Sequence, residues 1–306
     1  MLQFLKNIFH EYLPAEEKPA VKTIGSRVKD LEIKSKKLTN HLFTGEYHSA
    51  FKGRGMAFKE VKEYSAGDDI RFIDWNVSAR MGSTYSKVFE EERELSVYIL
   101  IDASASSNIG SAQHSKRELM NEIAAVLAFS AVSNNDKVGF IFYTNVVEKY
   151  IPSAKGREHV LYMVRELITF SPKEKQTNLV KALQYLNRIT RQKSIVFILS
   201  DFADDGYQDA LRIAAKKHDV IGIQVFDSVD ASLPNVGLLH LEDAETGKQT
   251  IIDTSSLPSK AAYNKQHQII VNDTAQIFKR AAASIIQLQT NADFVKALQQ
   301  FFIKRI

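Results

Sequence analysis

Residues 97–101 read Val-Tyr-Ile-Leu-Ile, an uncharged, β-rich run, and no other stretch narrows the fold as much. A strand buried on one face alternates apolar and polar side chains. A run with no charged position therefore predicts a strand covered on both faces, as in a parallel sheet flanked by helices. The text that follows keeps this rhythm. A helix is expected over 115–133, with Leu119, Ile123, Val126, Leu127 and Ser130 on one face and Asn134-Asn135-Asp136 ending it. Residues 138–143 read as the next strand, and the Thr144-Asn145 turn before 146–150 suggests a hairpin to an antiparallel edge strand. Helices over 157–168 and 179–191, a strand over 194–200, a helix over 207–217 and a strand over 220–225 come next. Such alternation predicts an α/β fold with a doubly wound, mostly parallel sheet. The carboxyl third reads differently. Residues 237–242 and 249–253 flank Ala244-Glu245-Thr246-Gly247 as a β-hairpin insertion over 237–253. The chain is then expected to be helical beyond Pro258 to about Leu288, and Asp293 to cap a last helix carrying Phe294, Leu298 and Phe301.

Residues 1–95 do not share the alternation, so the chain divides into an amino-terminal α+β extension, with a helix over 26–43, and a main domain over 96–306. At 306 residues and 44% apolar content, it is long enough to bury a large core. No cysteine is present, which excludes a disulfide framework and thiolate chemistry. The longest nearly apolar windows, 123–132 and 138–143, fall short of the roughly 20 residues a membrane span needs. Residues 1–10 lack the apolar core and cleavage site of a signal peptide, so a cytoplasmic protein is expected. The formal charge of +4 is unevenly spread, since residues 21–62 hold ten Lys or Arg against four Asp or Glu. Such a stretch could meet an acidic partner, nucleic acid or anionic lipid. However, Arg27, Lys29, Lys34, Lys36 and Lys37 interleave with Val28, Leu31, Ile33 and Leu38, which reads as a solvated helix face. No aromatic residues alternate with the basic ones as on a nucleic-acid platform, so nucleic-acid binding is not expected.

Chemistry concentrates just after the first buried run. Asp102-Ala103-Ser104-Ala105-Ser106 puts three oxygen side chains where a strand gives way to a helix, in the crevice where open α/β sheets bind ligands. Alternation points Asp102, Ser104 and Ser106 the same way in an extended loop, and a hard divalent ion prefers such carboxylate and hydroxyl oxygens. The plainer reading of an isolated Asp-x-Ser-x-Ser is loop hydrogen bonding or helix capping. Two further segments favour the metal. Gln176-Thr177-Asn178 puts a hydroxyl at a helix start, and the apolar run 194–200 ends at Asp201. The set Asp102, Ser104, Ser106, Thr177 and Asp201 resembles the metal-ion-dependent adhesion site of von Willebrand factor A domains. That resemblance implies Mg2+ held by the two serines and the threonine directly or through water, and by the two aspartates partly through water. One position stays open for an acidic side chain of a partner. Oxygen ligands at such an open site would also accept Mn2+ or Ca2+.

A second resemblance covers nearly the whole chain from about Gly45. The stretch from Gly53-Arg54-Gly55 through Asp68-Asp69-Ile70-Arg71-Phe72-Ile73-Asp74-Trp75-Asn76 to Arg80 resembles the hallmark of the bacterial family called domain of unknown function 58. The likeness continues through Phe89 to Leu95, the Asn134 to Gly139 segment and the 241–247 hairpin. It implies an extension joined to a von Willebrand factor A-like domain, and an adaptor or co-chaperone working with a MoxR-type AAA+ ATPase or its client protein. Within the hallmark, Asp68, Asp69, Arg71, Asp74 and Arg80 are expected to form charge-assisted pairs that staple it to the metal domain, with Trp75 as an apolar anchor. A client-binding surface is the alternative role.

Catalysis is not expected. Ser104 stands where a haloacid-dehalogenase-like phosphatase needs its second carboxylate, and the acidic pair and lysine of a receiver domain cannot be placed. Gly247-Lys248-Gln249 lacks the first glycine and the hydroxyl of a phosphate-binding loop. Neither serine has a glycine-flanked elbow, and His114 and His218 read as surface or cap residues. A metal-dependent hydrolase is kept only as an alternative.

Overall fold

The computed structural model describes residues 24–42, 57–90, 95–108, 115–242, 245 and 247–305. The uncharged run lies in β3 (Ser96–Asp102), which pairs in parallel with β4 (Lys137–Tyr143) on one side and β6 (Ile195–Ser200) on the other. Two further parallel strands, β7 (Asp219–Phe226) and β10 (Ser284–Gln289), and the antiparallel edge strand β5 (Val147–Ala154) complete a sheet of order β10-β7-β6-β3-β4-β5. Continuous apolar strands are explained by what covers them. Val97, Ile99 and Ile101 face a core built with α3 (Lys116–Ser133), α4 (Arg157–Thr169) and α9 (Phe294–Ile303). Tyr98 and Leu100 face the opposite core, built with α5 (Leu179–Ile189), α6 (Gln208–Lys217) and α8 (Leu257–Arg280). This is the doubly wound architecture expected of a von Willebrand factor A-like domain. Among the described residues, no helix is long and apolar enough to cross a membrane.

The strand order fixes where a site can form. From β3 the chain passes through α3 to β4, whereas from β6, on the other side of β3, it passes through α6 on the opposite face of the sheet to β7. Helices that leave adjacent strands in opposite directions open a crevice between the carboxyl ends of those strands. Asp102 ends β3, and Asp201 follows Ser200 at the end of β6.

Helix α1 (Ile24–Leu42) lies along α3 and α4. Val28 and Leu31 pack on the core while Lys34 pairs with Glu122 at 2.6 Å and Glu32 with Arg157. The helical part of the basic stretch is thus amphipathic with its apolar side inward, while residues 57–62 belong to a strand. The hallmark segment folds as a separate two-stranded sheet, β1 (Ala57–Glu63) against β2 (Tyr85–Glu90), with the short helix α2 (Trp75–Met81) between them. Among the described residues, the ion pairs of Asp68, Asp69 and Asp74 do not staple it to the main domain as expected. Asp68 pairs with Lys62 at 2.8 Å, Asp69 with Arg71 at 2.6 Å, and Asp74 with Lys87 at 3.4 Å while capping α2. Each partner lies within the same small unit, which sequence proximity makes entropically cheap. Trp75 is 71% exposed, so among the described residues it is not the buried anchor expected of it. Residues 53–56 of the hallmark, 91–94, His114 and part of the 241–247 turn lie outside the described residues.

One further expectation is corrected and two are made specific. The helix beyond Pro258 stops at Arg280, and the residues assigned to its last turns form β10. Ala282 takes φ 56°, a left-handed conformation that ends the helix without the usual glycine. In α9 the buried positions are Phe294, Leu298 and Phe302, spaced four apart, and Phe301 packs against the same core part-buried. Of the surface and cap roles expected of His218 it takes the cap, and it is 2% exposed.

Packing of α8 against the sheet depends on a missing side chain. A Cβ at Gly222 of β7 would lie 2.5 Å from the Phe278 ring, and that ring is held edge-on against Phe202 at 5.1 Å. Gly222→Ala is expected to destabilise the fold by about 1–3 kcal/mol through overpacking, read from urea midpoints at constant slope. His218 makes a second prediction. The Ser194 N–H donates to its Nδ1 at 3.2 Å, so its proton sits on Nε2, 3.0 Å from Thr190 Oγ1. Burial, then neighbouring Lys217, lowers its pKa from 6.5 to about 4. Between those values the unfolded chain binds a proton that the folded chain refuses, so stability falls as pH drops through this window. The loss should approach about 3 kcal/mol and be absent from His218→Gln, as measured by denaturation at pH 7 and 4.5.

Candidate functional site

Asp102 is 2% exposed, and both of its carboxylate oxygens are engaged. The Ser104 N–H donates to Oδ1 at 3.0 Å, and Ser200 Oγ donates to Oδ2 at 2.7 Å. Both donors are neutral, so neither hydrogen bond cancels the charge. Burial, together with the nearby Asp201 carboxylate, pushes the Asp102 pKa up to about 7. Burial also keeps the Tyr143 phenol, which faces Asp102 in the β3–β4 register, firmly protonated. The loop after Asp102 closes on itself: Ser104 Oγ lies 3.1 Å from Ser106 Oγ, and Ser107 Oγ donates to the Ser104 carbonyl at 2.7 Å. Ser104 is fully buried and Ser106 half-buried, so their hydroxyls converge at the mouth of the crevice.

Thr177 reaches the same place from the loop before α5. The Ala105 N–H donates to the Lys175 carbonyl at 2.9 Å, and the Asn178 N–H to the Thr144 carbonyl at 3.0 Å, which lay this loop along the serine loop. Asp204 adds a clamp by accepting from the Leu179 N–H at 2.8 Å. The Thr177 hydroxyl itself donates to Glu245 Oε1 at 3.0 Å.

Asp201 is engaged differently. Its Oδ2 lies 3.1 Å from Lys116 Nζ, which also lies 3.2 Å from Asp230 Oδ2 on α7 (Ser228–Ala231). Burial would lower the pKa of this 4% exposed ammonium, but Asp201 and Asp230 together outweigh that effect and raise it. The chain then turns sharply, since Phe202 adopts φ 54°, a strained conformation for a bulky residue. Its ring is anchored against Phe278, and its N–H donates to Ser200 Oγ at 3.0 Å. Next to the Lys116 cluster lies a cavity of about 200 Å³, lined by Gln224, Tyr263 and His267 among others.

The five predicted positions therefore lie on three adjoining loops at one end of the sheet. Asp102, Ser104 and Ser106 form one bonded group, Asp201 faces Asp102 through space, and Thr177 is brought alongside by the backbone hydrogen bonds of its loop. All the oxygens are carboxylate or hydroxyl, a donor set that fits a hard divalent ion. Among the described residues, no three His, Cys, Asp or Glu side chains group to hold a metal by themselves, so any such site depends on the hydroxyls. Lys116, Ser200, Asp204 and Glu245 were not anticipated. One signal for Lys116 was available: it begins a helix capped by Ser115, where the helix dipole disfavours a cation, so some local anion was to be expected.

Removing Lys116 would leave Asp201 and Asp230 facing each other without their shared cation. Lys116→Met is expected to cost about 3–5 kcal/mol of stability, measured by chemical denaturation, whereas a loss below about 1 kcal/mol would show that the bridge is not structural.

Comparison with known proteins is consistent in its direction. An uncharacterized protein of Mycobacterium tuberculosis strain H37Rv is 28% identical over 287 residues, covering 92% of this chain and 90% of its own length. An uncharacterized protein of Mycobacterium avium is 29% identical over 160 residues, covering 51% of this chain and 93% of its own. Among solved structures, the conserved hypothetical protein BatB from Bacteroides thetaiotaomicron superposes with a TM-score of 0.48 at 19% identity, covering 69% of this chain and 98% of that one. The SpRpn10 VWA domain superposes with a TM-score of 0.37 at 11% identity, covering 67% and 94%. The family described as "Protein of unknown function DUF58" matches residues 60–269, from the hallmark sheet through β3, β6 and the hairpin of β8 (Leu238–Glu242) and β9 (Gln249–Asp253) into α8. This chain belongs to that family.

Proposed function

We propose that the chain is a protein-binding module without catalytic activity of its own, which holds Mg2+ between the loops after β3 and β6 and uses it to capture an acidic side chain of a partner. The observation that carries this reading is the state of Asp102, a buried carboxylate held only by neutral donors and set beside a second carboxylate, with two hydroxyls converging at its mouth. Such an arrangement is costly unless a cation offsets it. Bound there, Mg2+ would supply positive charge and an open coordination position for a carboxylate.

The residues would divide the work. Ser104, Ser106 and Thr177 offer neutral oxygens that orient without consuming charge. Asp102 and Asp201 sit further back and fix the loops, Asp102 through Ser200 and Asp201 through Lys116. A binding role fits the Ser104 hydroxyl, which is engaged by Ser106 and by Asp102 in holding the loop. The family likeness suggests a MoxR-type AAA+ ATPase, or the client it remodels, as the source of the acidic side chain, which makes this chain an adaptor or co-chaperone.

Calorimetric titration of Mg2+ and Mn2+ into the wild type and Asp102→Ala tests the proposal. Saturable binding is expected in the wild type, weakened at least about tenfold in an equally well-folded variant. Equal binding by the two proteins would remove Asp102 from any metal site.

A further inference from the structure

We propose that the cavity beside Lys116, walled by α8 and floored by the carboxyl ends of β6 and β7, is a binding site for a small organic cation, an ammonium or guanidinium group on a short apolar stem. The site stands apart from the metal reading, because Asp230, Tyr263 and His267, which would do the binding, are none of the five motif residues.

Helix spacing supplies the wall. Tyr263, Gln266, His267 and Ile270 fall at i, i+3, i+4 and i+7, a single stripe of α8. Farther along the helix the stripe continues in Thr274 and Phe278, which are buried. Nearer its start it meets no packed layer, and about 200 Å³ is left, room for about seven water-sized groups. Across the space Phe226 of β7 sets its ring 5.1 Å from that of His267, at 60°. The floor is held in place by Gln224, 1% exposed, whose Nε2 donates to the Asp201 carbonyl and whose Oε1 accepts from Gln287, both at 3.0 Å.

The charge of the lining selects a cation. One ammonium faces two carboxylates, since Lys116 Nζ lies 3.1 Å from Asp201 Oδ2 and 3.2 Å from Asp230 Oδ2. An anion would find the Lys116 charge already taken up. Asp230 Oδ2 also accepts the Asp227 N–H at 2.9 Å, whereas Asp230 Oδ1 has no hydrogen-bond partner among the described residues. The Tyr263 hydroxyl and the His267 ring nitrogens have none either among the described residues, although both side chains are half-buried. Burial lowers the His267 pKa below 6.5, with Asp230 only partly offsetting it, so the ring is uncharged at neutral pH and has a nitrogen free to accept. An ammonium seated here would donate to Asp230 Oδ1, to the Tyr263 hydroxyl and to His267, with its stem against Phe226 and Ile270. The ring faces of Tyr263 and Phe226 add attraction for a cation.

Titration of n-butylammonium into the full chain, followed by saturation-transfer NMR, tests this, with n-butanol and butyrate as controls that carry no charge and the opposite charge. The wild type is compared with Asp230→Asn and Ile270→Trp, each checked for equal thermal unfolding. Ile270 is 37% exposed, so the larger ring would fill the cavity from its open side without entering the core. Saturable binding of n-butylammonium is expected in the wild type, at least about tenfold tighter than that of either control and weakened at least about tenfold in each variant. Should Asp230→Asn fail to fold, Ile270→Trp decides alone. Equal affinity for n-butylammonium and n-butanol, a preference for butyrate, affinity unchanged in a well-folded variant, or no saturable binding by the wild type in the millimolar range would each overturn the proposal.

Discussion

A carboxylate almost wholly withdrawn from water must be solvated by the protein, and Asp102 makes that demand at the centre of the sheet. Meeting it organises everything around it. Ser200 turns its hydroxyl toward Asp102, which ties the end of β6 to the end of β3, and the same hydroxyl accepts the Phe202 N–H, which holds the strained turn that follows. Beyond that turn Asp201 meets Lys116 of α3, and Lys116 meets Asp230 of α7. Asp230 in turn accepts from the Asp227 N–H, while Asp227 accepts from Thr290 Oγ1 at 2.6 Å, just past β10. One chain of polar contacts thus runs from the serine loop to the far edge of the sheet. A perturbation at Asp102 has a continuous physical route to the last strand.

The strands were legible because burial on both faces leaves no room for polar alternation. The runs at 97–101 and 194–200 announce themselves for that reason, and their flanking helices follow from period and caps. β10 was not legible, and the cause is local. Ala281-Ala282-Ala283 joins it to α8, and alanine is the best of helix formers, so no glycine or proline marks the break that Ala282 makes by its positive φ. β5 runs on past Tyr150 to Ala154 through Pro152, which an edge strand tolerates because its outer amide needs no partner. Asp102, Ser104 and Ser106 were readable from their spacing of two. Lys116, Asp204 and Glu245 were not, since each joins the site across dozens of residues and nothing in a linear pattern encodes that meeting. The hallmark segment misled in the opposite sense: Asp68, Asp69 and Asp74 meet Lys62, Arg71 and Lys87 of the same small unit instead of the main domain.

Strain and buried charge gather at the same end of the sheet. Phe202 is held in a left-handed conformation, Lys116 is 4% exposed, and burial together with Asp201 pushes the Asp102 pKa up to about 7. Buried polar groups also occur away from it: Asp136, fully buried, accepts the Leu95 N–H just before β3, and His218 is kept neutral by burial. What sets the Asp102 end apart is that a strained backbone, a buried carboxylate and a buried ammonium meet there within one bonded chain.

The choice of hydroxyls over carboxylates at the mouth of the crevice bears on what such a surface can bind. A cage of carboxylates would neutralise a divalent ion and leave it little attraction for another anion. Here Lys116 already offsets part of the charge of Asp201 and Asp230, and Ser104, Ser106 and Thr177 contribute none. On the proposed reading the ion would keep enough positive charge to draw in one more carboxylate, so a partner's acidic side chain would be held by charge that the protein's own ligands leave uncancelled.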